Sequence, residues 1–168
     1  MSLSMYDTSA PRLARMLRNL DAILGRAATH AAAKKIDPAV LLGARLFPDM
    51  LPMAKQVQIA TDHAKGAVAR LAGAEVPRYE DTEQSFDELR ARIAKTIAFV
   101  ESFAPAQFEG SEERSIALRV GGKDWSFSGR DYLLGFALPN FYFHVVTAYN
   151  ILRHNGIEIG KSDYLGAA

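Results

Sequence analysis

Asn140 and His144 stand four residues apart, inside the stretch LLGFALPNFYFHVVTAYNILRHNG that runs from Leu133 to Gly156. On an α-helix that spacing points both side chains the same way, about 40° from each other. It is also the spacing of two metal ligands on one helix face, as in His-x-x-x-His pairs. His63, in a separate amphipathic stretch, could supply a third donor to a Zn²⁺ or Ni²⁺ ion. Against this, asparagine is a poor ligand for either metal, which prefer imidazole or carboxylate. Two metal-free readings stand beside the first. In one, His144 is a buried imidazole bonded to a neighbour and Asn140 satisfies the carbonyl that Pro139 frees. In the other, the same groups line a pocket for a small ligand.

The remaining polar groups offer less. Asp62 and His63 are adjacent, so they cannot face the same way on a helix, whereas Gln56 and His63 share one flank. Tyr142 and Tyr149 lie on one side of their helix and suit an interface as well as a pocket. His30 and His154 fall in the last turns of their helices, where the backbone dipole favours a cation. There is no cysteine, which removes disulfides, thiolate catalysis and Cys-ligated metals. No GxGxxG, GKS/T or GxSxG sequence occurs, and nothing suggests a triad.

Four helices must position these groups. Ser9 with Pro11 reads as a helix start, followed by Leu13, Leu17, Leu20, Leu24, Ala27 and Ala31 at helical spacing. Asp37-Pro38 opens a short helical turn. Asp49 is the expected N-cap of a second long helix, with Pro52 in its first turn and a seam of Met53, Val57, Ala60, Ala64, Ala67 and Leu71; Gly73 closes it. Ser85 and Glu88 form a capping-box pattern for a third helix, carrying Phe86, Leu89, Ile93, Ile97 and Val100. SIALRVGGKDWSF reads as a β-hairpin turning at Gly121-Gly122, pairing Leu118 with Trp125 and Ile116 with Phe127, and acting as a lid on the bundle. Ser128 and Asp131 then cap the fourth helix, which Pro139 should kink and Gly156 should end. The tail IEIGKSDYLGAA reads as extended across the bundle. The outcome is an all-α four-helix bundle, one domain over residues 1–168, with a small β-hairpin before the last helix.

Composition limits the partners. The net charge is +1, from 20 basic and 19 acidic residues, which argues against nucleic-acid or membrane-surface binding driven by charge. Residues 132–152 carry no charge and are long enough to span a bilayer, yet Pro139, Asn140, His144, Thr147 and Asn150 are scattered through them. A helix apolar on all sides is then expected to be buried within protein. The N-terminus has no basic segment leading into an apolar run, so no export signal is expected and the cytoplasm is the default location.

The segments LLGARLFPDMLPMAKQVQIATDHAKGAVARLAG, DYLLGFALPNFYFHVVTAYNILRHNG and IGKSDYLG resemble an uncharacterised bacterial family of unknown function within the DinB-like (YfiT-like) superfamily. The resemblance runs along essentially the whole chain and is most specific in PNFYFHVVTAYNILRHNG. It implies an up-down-down-up bundle, often a homodimer. Many superfamily members hold a divalent metal with one histidine from the second helix and a His-x-x-x-His pair from the last, and some are thiol-dependent transferases or hydrolases. By that pattern His144 matches the second histidine of the pair, Asn140 stands where the first belongs, and His63 is the nearest second-helix candidate. The resemblance therefore implies a degenerate metal site, or one repurposed without metal.

Two functions compete on this reading. As an enzyme, His63, Asn140 and His144 would hold Zn²⁺ or Ni²⁺ with an activated water. As a metal-free dimeric binding protein, the chain would use the surplus apolar surface of Tyr142, Val146 and Tyr149 for a second copy or a ligand.

Overall fold

The structure, a computed structural model, describes residues 3–166. Helical chain begins earlier than Ser9 implies. Ser4 and Asp7 form a capping box for a single turn, α1 (Met5–Thr8), and α2 (Ala10–Lys34) follows with Pro11 in its first turn. Ser9 makes no side-chain cap; its hydroxyl donates back to the Met5 carbonyl at 2.6 Å. Asp37 caps α3 (Pro38–Gly43) by accepting from the Ala39 amide at 2.9 Å.

The second long helix corrects the expectation at Asp49. α4 spans Met53–Ala72, with Pro52 at the cap position. The Met53 amide, which a helix beginning at Asp49 would use internally, donates instead to the Ala44 carbonyl at 2.9 Å. That tertiary bond holds the preceding loop against the helix and delays its start. Gly73 ends α4 at φ 70°, a left-handed cap that glycine adopts without strain. Ser85 caps α5 (Phe86–Glu101) through the Glu88 amide at 3.1 Å.

Strands β1 (Ser115–Val120) and β2 (Lys123–Ser128) pair antiparallel in the expected register, Leu118 opposite Trp125 and Ile116 opposite Phe127. Gly121 and Gly122 both have positive φ, 58° and 79°, as a tight two-residue turn matched to strand twist requires. Ser128 then caps α6 (Gly129–Tyr132). Where the kink is expected, the chain winds a π-helical turn over Leu133–Ala137, in which the Leu138 amide reaches back five residues to the Leu133 carbonyl. α7 (Leu138–His154) carries Pro139 in its first turn, where a missing donor is harmless. The tail is extended only briefly before α8 (Lys161–Leu165); Ala167 and Ala168 lie outside the described residues.

Helices α2 and α5 pack together, as do α4 and α7, and α4 against α5 joins the two pairs. Between them lies one apolar core, including Leu13, Leu17 and Leu24 of α2, Val57, Ala60 and Leu71 of α4, Ile93 of α5, and Phe141, Val145 and Ile151 of α7. The last helix is not sheathed on every side as expected. Leu134 is 57% exposed and Phe143 56%, because α7 forms one wall of the bundle and turns a face outward. Among the described residues no helix is long and apolar enough to cross a membrane.

Gly129, the first residue of α6, lies tight against the turn at Ser111 that precedes the hairpin. A Cβ built there would meet the Ser111 carbonyl oxygen at 1.8 Å. Gly129→Ala should therefore displace the turn at Ser111 and cost about 1–3 kcal/mol of stability, an overpacking penalty read from chemical denaturation.

Candidate functional site

Three residues of α4 at heptad spacing, Gln56, His63 and Arg70, run along the flank that meets the last helix. α7 brings Asn140 and His144 to the same seam, and β1 closes it from outside. The result is an open cleft of about 300 Å³. Asp62, His63 and Arg70 bound it on α4, Leu118 to Val120 on β1, and Phe136 and Asn140 on the last helix. The hairpin thus does cover part of the bundle, fastened by Phe127 against Tyr132 and Phe136 with ring centroids 6.2 and 5.6 Å away.

The structure brings His63 and His144 together, with ring centroids 5.7 Å apart and planes 15° from parallel. Gln56 fixes the tautomer of His144. Its amide nitrogen donates to the Leu51 carbonyl at 3.0 Å, so its oxygen is the atom facing His144 Nδ1 at 2.7 Å. Nδ1 must then carry the proton, which leaves Nε2 with a free lone pair. Asn140 donates its amide nitrogen to the Phe136 carbonyl at 2.7 Å. The carbonyl it satisfies is thus the one four residues before itself, not that of Gly135. Its Oδ1 stays available to the cleft.

Both imidazoles are held uncharged. The His63 pKa is lowered from 6.5 to about 4, chiefly by burial, with the nearby His144 and Arg70 adding to the shift and Asp62 opposing it. Burial also lowers His144. Neutral imidazoles are good acceptors and good metal donors, so the donor set decides whether a resident metal fits. The ring separation suits a shared ion, since two imidazoles on one zinc have centroids about 5–6 Å apart given Zn–N bonds of about 2 Å. The third donor does not suit: it is at best the Asn140 amide oxygen. Among the described residues no group of three or more His, Cys, Asp or Glu is placed to hold a metal. Two imidazoles and an amide do not fit a resident Zn²⁺ or Ni²⁺.

The surface read as Tyr142, Val146 and Tyr149 is partly covered by the chain itself. Tyr149 packs edge-on to Tyr164 of α8 at 6.1 Å, and all three residues are only half exposed or less. The apolar side chains most open on the last helix are Leu134 and Phe143.

Sequence reasoning passed over two features. Arg70 is one, although it continues the stripe of Gln56 and His63 by a further seven residues. The other is Arg92, whose side chain is 2% exposed within the buried face of α5. It pairs with Asp62 at 2.9 Å, Asp81 at 3.0 Å and Glu83 at 3.0 Å, and donates to Thr61 at 2.8 Å and the Glu80 carbonyl at 3.0 Å. Lys65 also binds Asp62, and Lys55 binds Asp81. The network ties residues 74–85, which connect α4 to α5, onto both helices. Tyr79 lies on it, with Lys95 4.1 Å, Lys65 4.6 Å and Arg92 5.5 Å from its ring centroid. A lone arginine in an apolar stripe was the available signal.

The family profile described as "Domain of unknown function (DUF1993)" matches residues 5–165. The chain belongs to this family. This DUF1993 protein is also similar to a crystal structure of a DinB family member protein from Shewanella denitrificans. The two are 44% identical, the match covers 98% of this chain and 93% of that one, and the TM-score is 0.91. No curated protein matches it.

The depressed His63 pKa has a consequence for stability. Between pH 6.5 and about 4 the unfolded chain takes up a proton at His63 that the folded protein refuses, so stability falls as pH falls through that window. At about 1.4 kcal/mol per pKa unit the loss approaches 3 kcal/mol. Asp81 and Glu83, whose pKa values are lowered in the fold, withdraw their contribution only at more acid pH. Denaturation curves of His63→Asn should lack most of the decline between pH 6.5 and 4 while keeping the acid step below it.

Proposed function

We propose that this DUF1993 protein is a small-molecule binding protein, and that the cleft between α4 and α7 is its site. His63, Asn140 and His144 act there as hydrogen-bonding groups to a ligand. One observation carries the reading: an uncharged His63 stands with Asn140 on the wall of an open cleft and stacks on His144, whose ring Gln56 holds from behind through Nδ1. Half-buried acceptors on a cleft wall take donors from a ligand or from water. Phe136, Leu118 and Val120 give the same cleft an apolar wall.

A stoichiometrically bound divalent ion is the second reading, favoured by the 5.7 Å spacing of the two rings and by Gln56 standing where a ligating histidine is usually braced. Zinc titration separates the two. A resident zinc site binds in the nanomolar range or tighter. On the proposed reading, untagged protein carries sub-stoichiometric metal, and added Zn²⁺ binds in the micromolar range or weaker. Stoichiometric zinc or nickel that is lost in His144→Ala would overturn it.

Association of two copies belongs to the same proposal, supported by the outward-facing Leu134 and Phe143. Sedimentation should give a dimer at micromolar concentration that Phe143→Glu shifts towards monomer. A wild-type monomer would remove this part and leave the cleft untouched.

A further inference from the structure

Arg70 is half buried on the cleft wall, and no carboxylate of the described residues lies within ion-pairing distance of it. A guanidinium withdrawn from water and left without a counter-charge is costly, unless its partner arrives from outside the chain. Its position is specified in detail. One N–H donates to the buried Tyr132 hydroxyl at 3.0 Å, and the group lies 5.9 Å from that ring's centroid. The guanidinium folds back over Gly66, one turn earlier, where a Cβ would stand 2.4 Å from Nη1. Gly66 is mid-helix, a position where glycine is unfavourable, yet it leaves the space that Arg70 fills. A guanidinium has five donors, so most of them are left for a ligand.

The surrounding charges leave a positive cleft. Asp62 is the acidic group on the wall, and its carboxylate is already taken by Arg92 and Lys65. Arg119 adds a second cation from β1; its nearest acid is the exposed Asp124 at 4.0 Å. Beside Arg70 lie the apolar faces of Phe136, Leu118 and Val120.

We propose that the ligand of this cleft is a small organic anion. Its carboxylate is seated on the open side of Arg70, and its apolar body lies on Phe136 beneath β1. Gly66 is the positioning residue, since its bare α-carbon allows Arg70 to lean back to Tyr132. The planar guanidinium fork takes a carboxylate through two parallel N–H···O bonds. This inference rests on the reading that the cleft binds a small molecule at all, and the experiment separates the two.

Phenylacetate, phenyl phosphate and the uncharged phenylacetamide are titrated into the full chain, with the His63 and His144 ring resonances followed by NMR. Phenylacetate should bind at least tenfold more tightly than phenylacetamide, with phenyl phosphate between them. Arg70→Gln should abolish the preference. Gly66→Ala, which improves helix propensity and only pushes aside the end of a flexible side chain, should weaken phenylacetate several-fold while leaving phenylacetamide unchanged. If phenylacetamide shifts the rings as readily as phenylacetate, the anion is overturned and the cleft survives. If phenyl phosphate binds more tightly than phenylacetate, the carboxylate is overturned. If none of the three moves either ring at millimolar concentration, both the anion and the cleft reading fall.

Discussion

The close approach of α4 to the last helix is the constraint on which the rest depends. Ala60, Ala64 and Ala67 put almost no bulk on the buried side of α4, so Phe141, Val145 and Ala148 of α7 can settle against it. That proximity lets Gln56 reach His144 and lays His63 beside it. Larger residues along the alanine seam would move the helices apart, and the polar flank would open into separate surface groups.

The local grammar of the chain was largely legible. The caps at Asp37, Ser85 and Ser128, the left-handed Gly73 and Gly156, and the full hairpin register follow from short-range rules that tertiary packing did not override. The pairing of His63 with His144 was readable from helical spacing combined with a family resemblance. Misreadings arose where a distant partner intervened. Asp49 lost its cap role to the bond between Met53 and Ala44, and Asn140 served the Phe136 carbonyl because the helix before it is wound as a π turn. Arg92 was overlooked since its acids lie in the connection to α4 or on α4 itself, 9 to 30 residues away along the chain. No periodicity announces such a cluster.

The π turn links the helix backbone to the cleft. An extra residue over Leu133–Ala137 absorbs the donor that Pro139 lacks, so α7 starts afresh with its own first turn. Phe136 falls within that turn, its carbonyl braced by Asn140 and its ring meeting both His63 and Phe127. Backbone irregularity here sits beside the candidate site rather than in a distant loop. It sets where the cleft's aromatic wall stands relative to its imidazoles.

Tyr79 offers a last consequence. One aromatic ring attracts three cations, and all of them draw on the same quadrupole. Lysines crowded around a single ring repel each other, so deleting one relieves strain on its neighbours as it forfeits its own attraction. Such an arrangement is coupled: the effects of truncating the two lysines singly do not simply add in the double variant.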